Sequence, residues 1–353
     1  MGAVSARQKK ILSTKAVTLS DVARAADVSV ITVSRALRTP DLVSAKVRAR
    51  ISEAVERLGY VPNPAARALA SQRSEVLGVV IPSVANSVFA ALMTGVMDAL
   101  EGSGLQVQFA NTRYLHSREL ELLRIFAAQR PSGLIVAGID QSPEARALLE
   151  RLDCPVVQVM EVGPDPVDMM VGCDHAAGAR LAVRHLLDQG YARPGFLGAR
   201  MDPRAQRRLA GYRDVTEVAE VADPRRIVTT PAPSTVAAGV RLLSDLLAQA
   251  PDTDAVFCAN DDIALGALFE CQRRGIRVPQ DFGIAGFNDL EFSAVAEPGL
   301  TSVRTHRYEM GQRAVEMVRS VLAGQRPTAR TVDLGCTLIA RGSTQRQVAG
   351  GTM

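Results

Sequence analysis

At 353 residues the chain is long enough for two or three domains, and its 47% hydrophobic and 22% charged residues are the balance of a soluble globular protein. No apolar run approaches the roughly 20 residues that span a bilayer, and the first residues lack the apolar core of a secretion signal. Five scattered cysteines (Cys154, Cys173, Cys258, Cys271, Cys336) show no C-x-x-C spacing, which argues against a zinc site or a disulfide frame and predicts a cytoplasmic protein. The net charge of +4 is unevenly placed. Residues 1–75 hold 13 Lys and Arg against 6 acids, a balance of +7, whereas the remainder holds 28 against 31, a balance of −3. A basic head on a mildly acidic body is the footprint of polyanion binding, although a solvated arm alone would look the same.

Residues 1–16 read as a polar, basic, disordered arm. Two short amphipathic segments follow in VTLSDVARAADVSVITVSRAL, residues 17–37. Thr18 can cap the first, with Asp21 three residues on, and Val22, Ala23 and Ala26 recur at helical spacing. Ser29 can cap the second, whose inward positions are Val33, Ala36 and Leu37, leaving Thr32, Ser34, Arg35 and Arg38 for the other face. Two short helices with a tight break read as a helix-turn-helix or as an ordinary helical hairpin. A third helix, AKVRARISEAVERL, carries Val47, Ile51, Val55 and Leu58 on one stripe and ends at Gly59. The next segment, YVPNPAARALASQRS, can start a short helix at Asn63 and Pro64 but is too short to stand alone.

From Val76 the pattern becomes strands alternating with helices. VLGVVIP, LQVQFAN, GLIVAGI and PVVQVM read as buried parallel strands, and the unit repeats through PGFLGA, IVTT, DAVFCAN and FGIAGFN. This predicts an α/β fold: a three-helix head, then two doubly wound lobes in series, with a ligand at the strand C-termini. Candidate polar groups are read from strand ends. Asn260 and Asp261 follow VFCA, Asn288 follows GIAGF, and Asp174 follows VGC, where it can equally cap a helix. Ser83, Asn86 and Phe89 follow VVIP. Arg204, Arg207 and Arg208 cluster in GARMDPRAQRRLAGY. Arg204 and Arg208 can share one helix face, and guanidinium–carboxylate pairing suits an acidic ligand.

The stretches VTLSDVARAADVSVITVSRAL, VSAKVRARI, LGYVPN and ARALAS resemble the head and hinge of the lac-repressor (LacI/GalR) family, and the resemblance runs from about residue 17 to the C-terminus. It implies a helix-turn-helix domain over 17–62, a hinge over 63–75 and an effector-binding and dimerisation body over 76–345. One lobe would take 76–173 plus 306–333, the other 174–305 plus 334–345, in the manner of periplasmic sugar-binding proteins, with a tail over 346–353. It implies that Val30 and Ile31 choose the base sequence. Being apolar, they would meet thymine methyls. Arg35 is the candidate guanine contact, Thr32 completes the reading surface, and Thr18, Ser20, Ser29, Ser34 and Asn63 would touch phosphates or merely cap. In the hinge, Ala66 and Leu69 would meet the minor groove, Leu69 as a kinking wedge. Arg208 matches a position that touches effector, while Asn288 departs from the aspartate common there.

GARMDPR, VFCANDDIALGALFECQRRGIRVPQD, GIAGFND and VDLG look like the gluconate-operon repressor branch, which implies gluconate or a close sugar acid as effector. The expected protein is a homodimeric repressor that binds operator DNA and no membrane. Alternatives are a relative that senses a neutral sugar or nucleoside, or a sugar-binding protein without a DNA role. No P-loop, G-x-S-x-G or H-E-x-x-H occurs, and the four histidines lack metal-ligand spacing, so neither an enzyme nor a cofactor is expected.

Overall fold

The computed structural model describes residues 17–61 and 74–346, and the chain divides between Ser74 and Glu75 into two compact units, a head and a body. The arm before residue 17, the hinge positions Asn63, Ala66 and Leu69, and the tail beyond 346 lie outside the described residues.

In the head, Thr18 opens α1 (Leu19–Ala25) through a reciprocal cap. Its hydroxyl accepts from the Asp21 amide at 3.3 Å, and Asp21 accepts from the Thr18 amide at 3.0 Å. Ser29 opens α2 (Val30–Arg38) by accepting from the Thr32 amide at 3.1 Å. The break between them passes through Asp27 at φ 49°. The carbonyls left free at the end of α1 are met from α3 (Ala45–Leu58): Arg50 donates to Ala26 and Asp27, and Arg57 donates to Ala25. Val22, Ala23, Ala26, Val33, Ala36, Ile51, Ala54 and Tyr60 make one small core. Leu37, expected to point inward, is 40% exposed. It lies in the last turn of α2, and the inward stripe is complete with Val33 and Ala36. Gly59 ends α3 at φ 62°, a left-handed position where other residues are strained.

The body holds two six-stranded sheets. In the first lobe β1 (Val76–Ile81), β2 (Gln106–Asn111), β3 (Gly133–Ala137), β4 (Val156–Glu161), β5 (Met169–Cys173) and β11 (Thr331–Asp333) run parallel in the order β11-β5-β4-β3-β1-β2. In the second, β6 (Pro194–Ala199), β7 (Ile227–Thr230), β8 (Ala255–Cys258), β9 (Gly283–Asn288), β10 (Thr301–Thr305) and β12 (Cys336–Ile339) take the order β12-β10-β9-β8-β6-β7, with only β12 antiparallel.

Burial on both faces explains the unbroken apolar runs. Leu77, Val79 and Ile81 of β1 pack under α4 (Val88–Leu100) and α12 (Arg307–Leu322), while Val80 faces α5 (His116–Gln129) and α6 (Pro143–Leu149). The pair α4 and α12 approaches so closely that a Cβ on Gly311 would stand 2.3 Å from the Leu92 carbonyl. Lobe 2 is built likewise, with a short α11 (Glu291–Val295) after β9. Its sheet lies between α9 (Val236–Gln249) with α10 (Asp261–Arg274) on one face and α7 (His175–Asp188) with α8 (Pro203–Val218) on the other. The chain passes between lobes three times: from β5 into α7, from β10 into α12, and from β11 into β12. Strand order reverses beside β1 in one lobe and beside β6 in the other, which places a crevice at the carboxyl ends of both.

Candidate functional site

The head presents one apolar and hydroxyl-rich helix end. Ile31 is 70% and Val30 44% exposed at the start of α2, beside exposed Arg35 and half-buried Thr32 and Ser34. Exposing two β-branched side chains at a helix start has no folding benefit. Thr18 and Ser29 are occupied as caps, and Thr32 shares a hydrogen bond of 2.8 Å with Ser29. Ser20 is exposed. Arg50 and Arg57 donate to carbonyls at the end of α1, so they are engaged internally, whereas Arg35 is an exposed cation on this face.

In the body, a cleft between the lobes is lined by Asn86, Phe89, Tyr114, Met160, Arg200, Asp202, Arg204, Arg208, Ser234, Asn260 and Asn288. They lie at strand carboxyl ends, in the loops that follow, or in the first turns of the next helices. Asp202 caps α8 by accepting from the Ala205 amide at 3.1 Å, and Pro203 fits its first turn. That helix then aims its arginines across the crevice.

Arg208 is buried, with its guanidinium 3.8 Å from the Phe287 ring centroid. It donates to the Ala259 carbonyl and, at 3.1 and 3.3 Å, to Nδ1 of His175. Nδ1 therefore accepts, and Nε2 donates to the Met160 carbonyl at 3.1 Å. Burial and the neighbouring arginines hold His175 well below the usual imidazole range, so it is neutral. Burial lowers Arg208 to about 10, which leaves it cationic at neutral pH.

Arg207 lies on the same helix and does different work. It pairs with both oxygens of Asp140 at 2.7 and 2.8 Å and with Glu161 at 2.8 Å, both on lobe 1. It therefore ties the lobes together and has little left for a ligand.

Arg204 stacks over Phe89 at 5.5 Å, and its Nη1 is buried with no hydrogen-bond partner. Asn288, 2% exposed and held at φ 108°, keeps its Oδ1 buried and unpartnered as well. One unsatisfied donor and one unsatisfied acceptor thus line the same cleft. Orphaned buried polar atoms are rare in a finished fold and mark a place for a partner.

Of the nine effector positions expected from sequence, Asn86, Phe89, Arg204, Arg208, Asn260 and Asn288 come together here. Asn86 is engaged with Tyr114 and the Val88 amide, and Asn260 with Ser234 and the Ile263 amide. The other three are engaged by other partners, two of them locally. Ser83 accepts from the Ala85 amide, and Asp174 caps α7 through the amides of Ala176 and Ala177. Asp261 is fully buried, where it accepts from Ser302 Oγ at 2.6 Å and the Leu290 amide at 2.7 Å, and burial raises it to about 7.

Residues 18–63 match the model of bacterial regulatory proteins of the lacI family, and residues 183–344 match a periplasmic binding protein-like domain. The HTH-type transcriptional regulator GntR of Pseudomonas aeruginosa is 38% identical over 97% of this chain and 99% of its own length. The chain belongs to the lacI family of bacterial regulatory proteins. A LacI family protein from Silicibacter pomeroyi has a similar structure, with a TM-score of 0.87 and 35% identity over 94% of this chain and 100% of that one. The lac repressor dimer bound to operator and the anti-inducer ONPF aligns with a TM-score of 0.82 and 27% identity, covering 94% of this chain and 99% of that chain. The chain is thus a transcriptional regulator and not an enzyme. Among the described residues no helix is long and apolar enough to cross a membrane.

Membership directs attention to cleft residues that sequence reasoning passed over. Arg200, 4.1 Å from the Tyr114 ring centroid, and Asp202 lie in the quoted GARMDPR run, so a signal for them existed. Tyr114 and Ser234 sit in loops with no motif. The bridging role of Arg207 depends on Asp140 and Glu161, which no spacing connects to it.

Proposed function

We propose that the protein is a dimeric, cytoplasmic repressor that leaves its operator when a sugar acid, gluconate or a close relative, occupies the cleft between the lobes. The observation that carries this reading is the pair of unsatisfied atoms, Arg204 Nη1 and Asn288 Oδ1, on one cleft. A carboxylate answers the guanidinium, and a hydroxyl donates to the amide oxygen. A neutral aldose can hydrogen-bond to both through its hydroxyls but brings no charge to the guanidinium. The resemblance to gluconate-operon repressors points the same way. On the head, Val30, Ile31 and Arg35 would read the major groove, with capping hydroxyls holding register on phosphates. The ligand weakens operator binding only by preferring one lobe arrangement over the other.

Calorimetry of the full-length protein tests this. Gluconate is expected to bind at least about tenfold tighter than glucose. Arg204→Ala should erase that preference while ligand-free operator affinity stays intact. If glucose or a nucleoside binds as tightly as every sugar acid tried, the effector assignment falls and the DNA-binding role stands.

A further inference from the structure

Two of the five cysteines meet where the lobes join. Cys173 ends β5 in lobe 1 and is fully buried. Cys336 opens β12 in lobe 2 and is half-buried. The backbone brings them together. Asp333 of β11 lies beside Gly172, and the Leu334 amide donates to the Gly172 carbonyl at 2.9 Å. Two residues later, the Cys336 sulfur stands 3.8 Å from the carbonyl of Asp174, the residue after Cys173. Cys336 packs against the cores of both lobes, one of which contains Cys173.

The two sulfurs are chemically unequal. The neighbouring Cys173 thiol and the Arg208 guanidinium pull Cys336 below the usual thiol range. Its neighbour Cys336, together with burial, pushes Cys173 well above it. A half-exposed, more acidic thiol next to a fully buried one is the arrangement of an attacking and a resolving cysteine. Cys258 and Cys271 also neighbour one another, in the core of lobe 2. Cys258 and Cys271 are buried with thiols raised by burial.

We propose that Cys173 and Cys336 form a peroxide-sensitive dithiol that closes into a disulfide and staples lobe 1 to lobe 2 at the third crossing of the chain. Cys336 thiolate attacks one oxygen of hydrogen peroxide, expelling hydroxide and leaving a sulfenic acid. The Cys173 sulfur then displaces the sulfenic oxygen, which departs as water with the Cys173 proton. The two thiols lose two electrons in all, and one peroxide becomes two waters. A disulfide here ties the crossing strand to β5 directly behind Arg208, so oxidation restricts how the lobes move about the cleft.

The test uses full-length protein, limiting hydrogen peroxide and peptide mapping without reduction. A Cys173–Cys336 peptide is expected, reversed by dithiothreitol, absent in Cys336→Ser and retained in Cys154→Ser. Thermal unfolding gives an independent readout. Oxidised wild type should melt several degrees higher than reduced protein, and Cys336→Ser, altered only at a half-buried site, should not respond. A stable sulfenic or sulfinic acid at Cys336 without crosslinking, a disulfide through Cys154, or an unchanged melting temperature each overturns the proposal. None of these outcomes depends on which ligand fills the cleft.

Discussion

Replacing Arg207 with alanine isolates the tie between the lobes. Two contributions are lost. The pair with Asp140 is about one-third exposed on both sides, 33% and 34%, and is worth at most about 1 kcal/mol after solvent screening. The bond to Glu161 is different, because that carboxylate is 2% exposed. Leaving it without its nearest cation costs about 1.5–3 kcal/mol, the value of a charge-assisted bond to a buried group. The body should therefore lose roughly 1.5–4 kcal/mol near neutral pH, the sum of those two contributions. The loss should also depend on pH. Burial raises the Glu161 carboxyl, while Arg204 and Arg207 pull it back. A carboxyl raised in the folded state holds its proton more tightly there than in the unfolded chain. Stability then falls as pH climbs from the unfolded value, about 4.3, through the folded one. Without Arg207 the folded value rises further and the destabilised window extends upward. Urea unfolding followed by circular dichroism should show a larger penalty at pH 8 than at pH 5.5. A penalty that is equal at both pH values, greater at pH 5.5, or below about 0.5 kcal/mol would refute the argument.

Two further outcomes are expected. Arg35→Ala should weaken operator binding by about 1–3 kcal/mol and relax the preference at one base position, read by gel shift on a library of single-base operator variants. Full affinity with unchanged preference removes Arg35 from base reading. Gly311→Ala would gain up to about 1 kcal/mol in a free helix, yet its Cβ meets the Leu92 carbonyl at 2.3 Å. Overpacking of about 1–3 kcal/mol should win, lowering the melting temperature, and a stabilised variant would show that α4 and α12 can part without cost.

What the sequence displayed was periodicity and caps. Thr18, Ser29 and Gly59 each announce a helix end through side-chain or backbone chemistry within four residues, and each is found there. The apolar run of β1 is legible because helices cover both its faces. Strand β10, TSVRT, escaped notice, since its polar residues are buried by partners far along the chain: Thr301 bonds with Thr344, and Ser302 with Asp261. The same distance explains the cleft. Local composition located the arginine cluster, but only the fold separates Arg207, neutralised from lobe 1, from Arg204, left with an unanswered donor. Asp261 reads as a strand-end ligand group until Ser302 and the Leu290 amide claim both its oxygens.

The threefold crossing has a consequence for biosynthesis. The head closes its core within residues 22–60 and needs nothing downstream. Neither lobe can do the same. The edge strand of the first sheet comes from residues 331–333 and that of the second from 336–339. Ser343 then seals the interior by donating to the Ile284 carbonyl at 2.6 Å and accepting from the Thr301 amide. While the ribosome is still extending the chain, a folded head trails from it beside two sheets that both lack an edge. The nascent protein is thus exposed to premature DNA contact and to strand-edge aggregation until residues 331–343 emerge, and truncations before residue 331 should fail together in both lobes rather than one at a time.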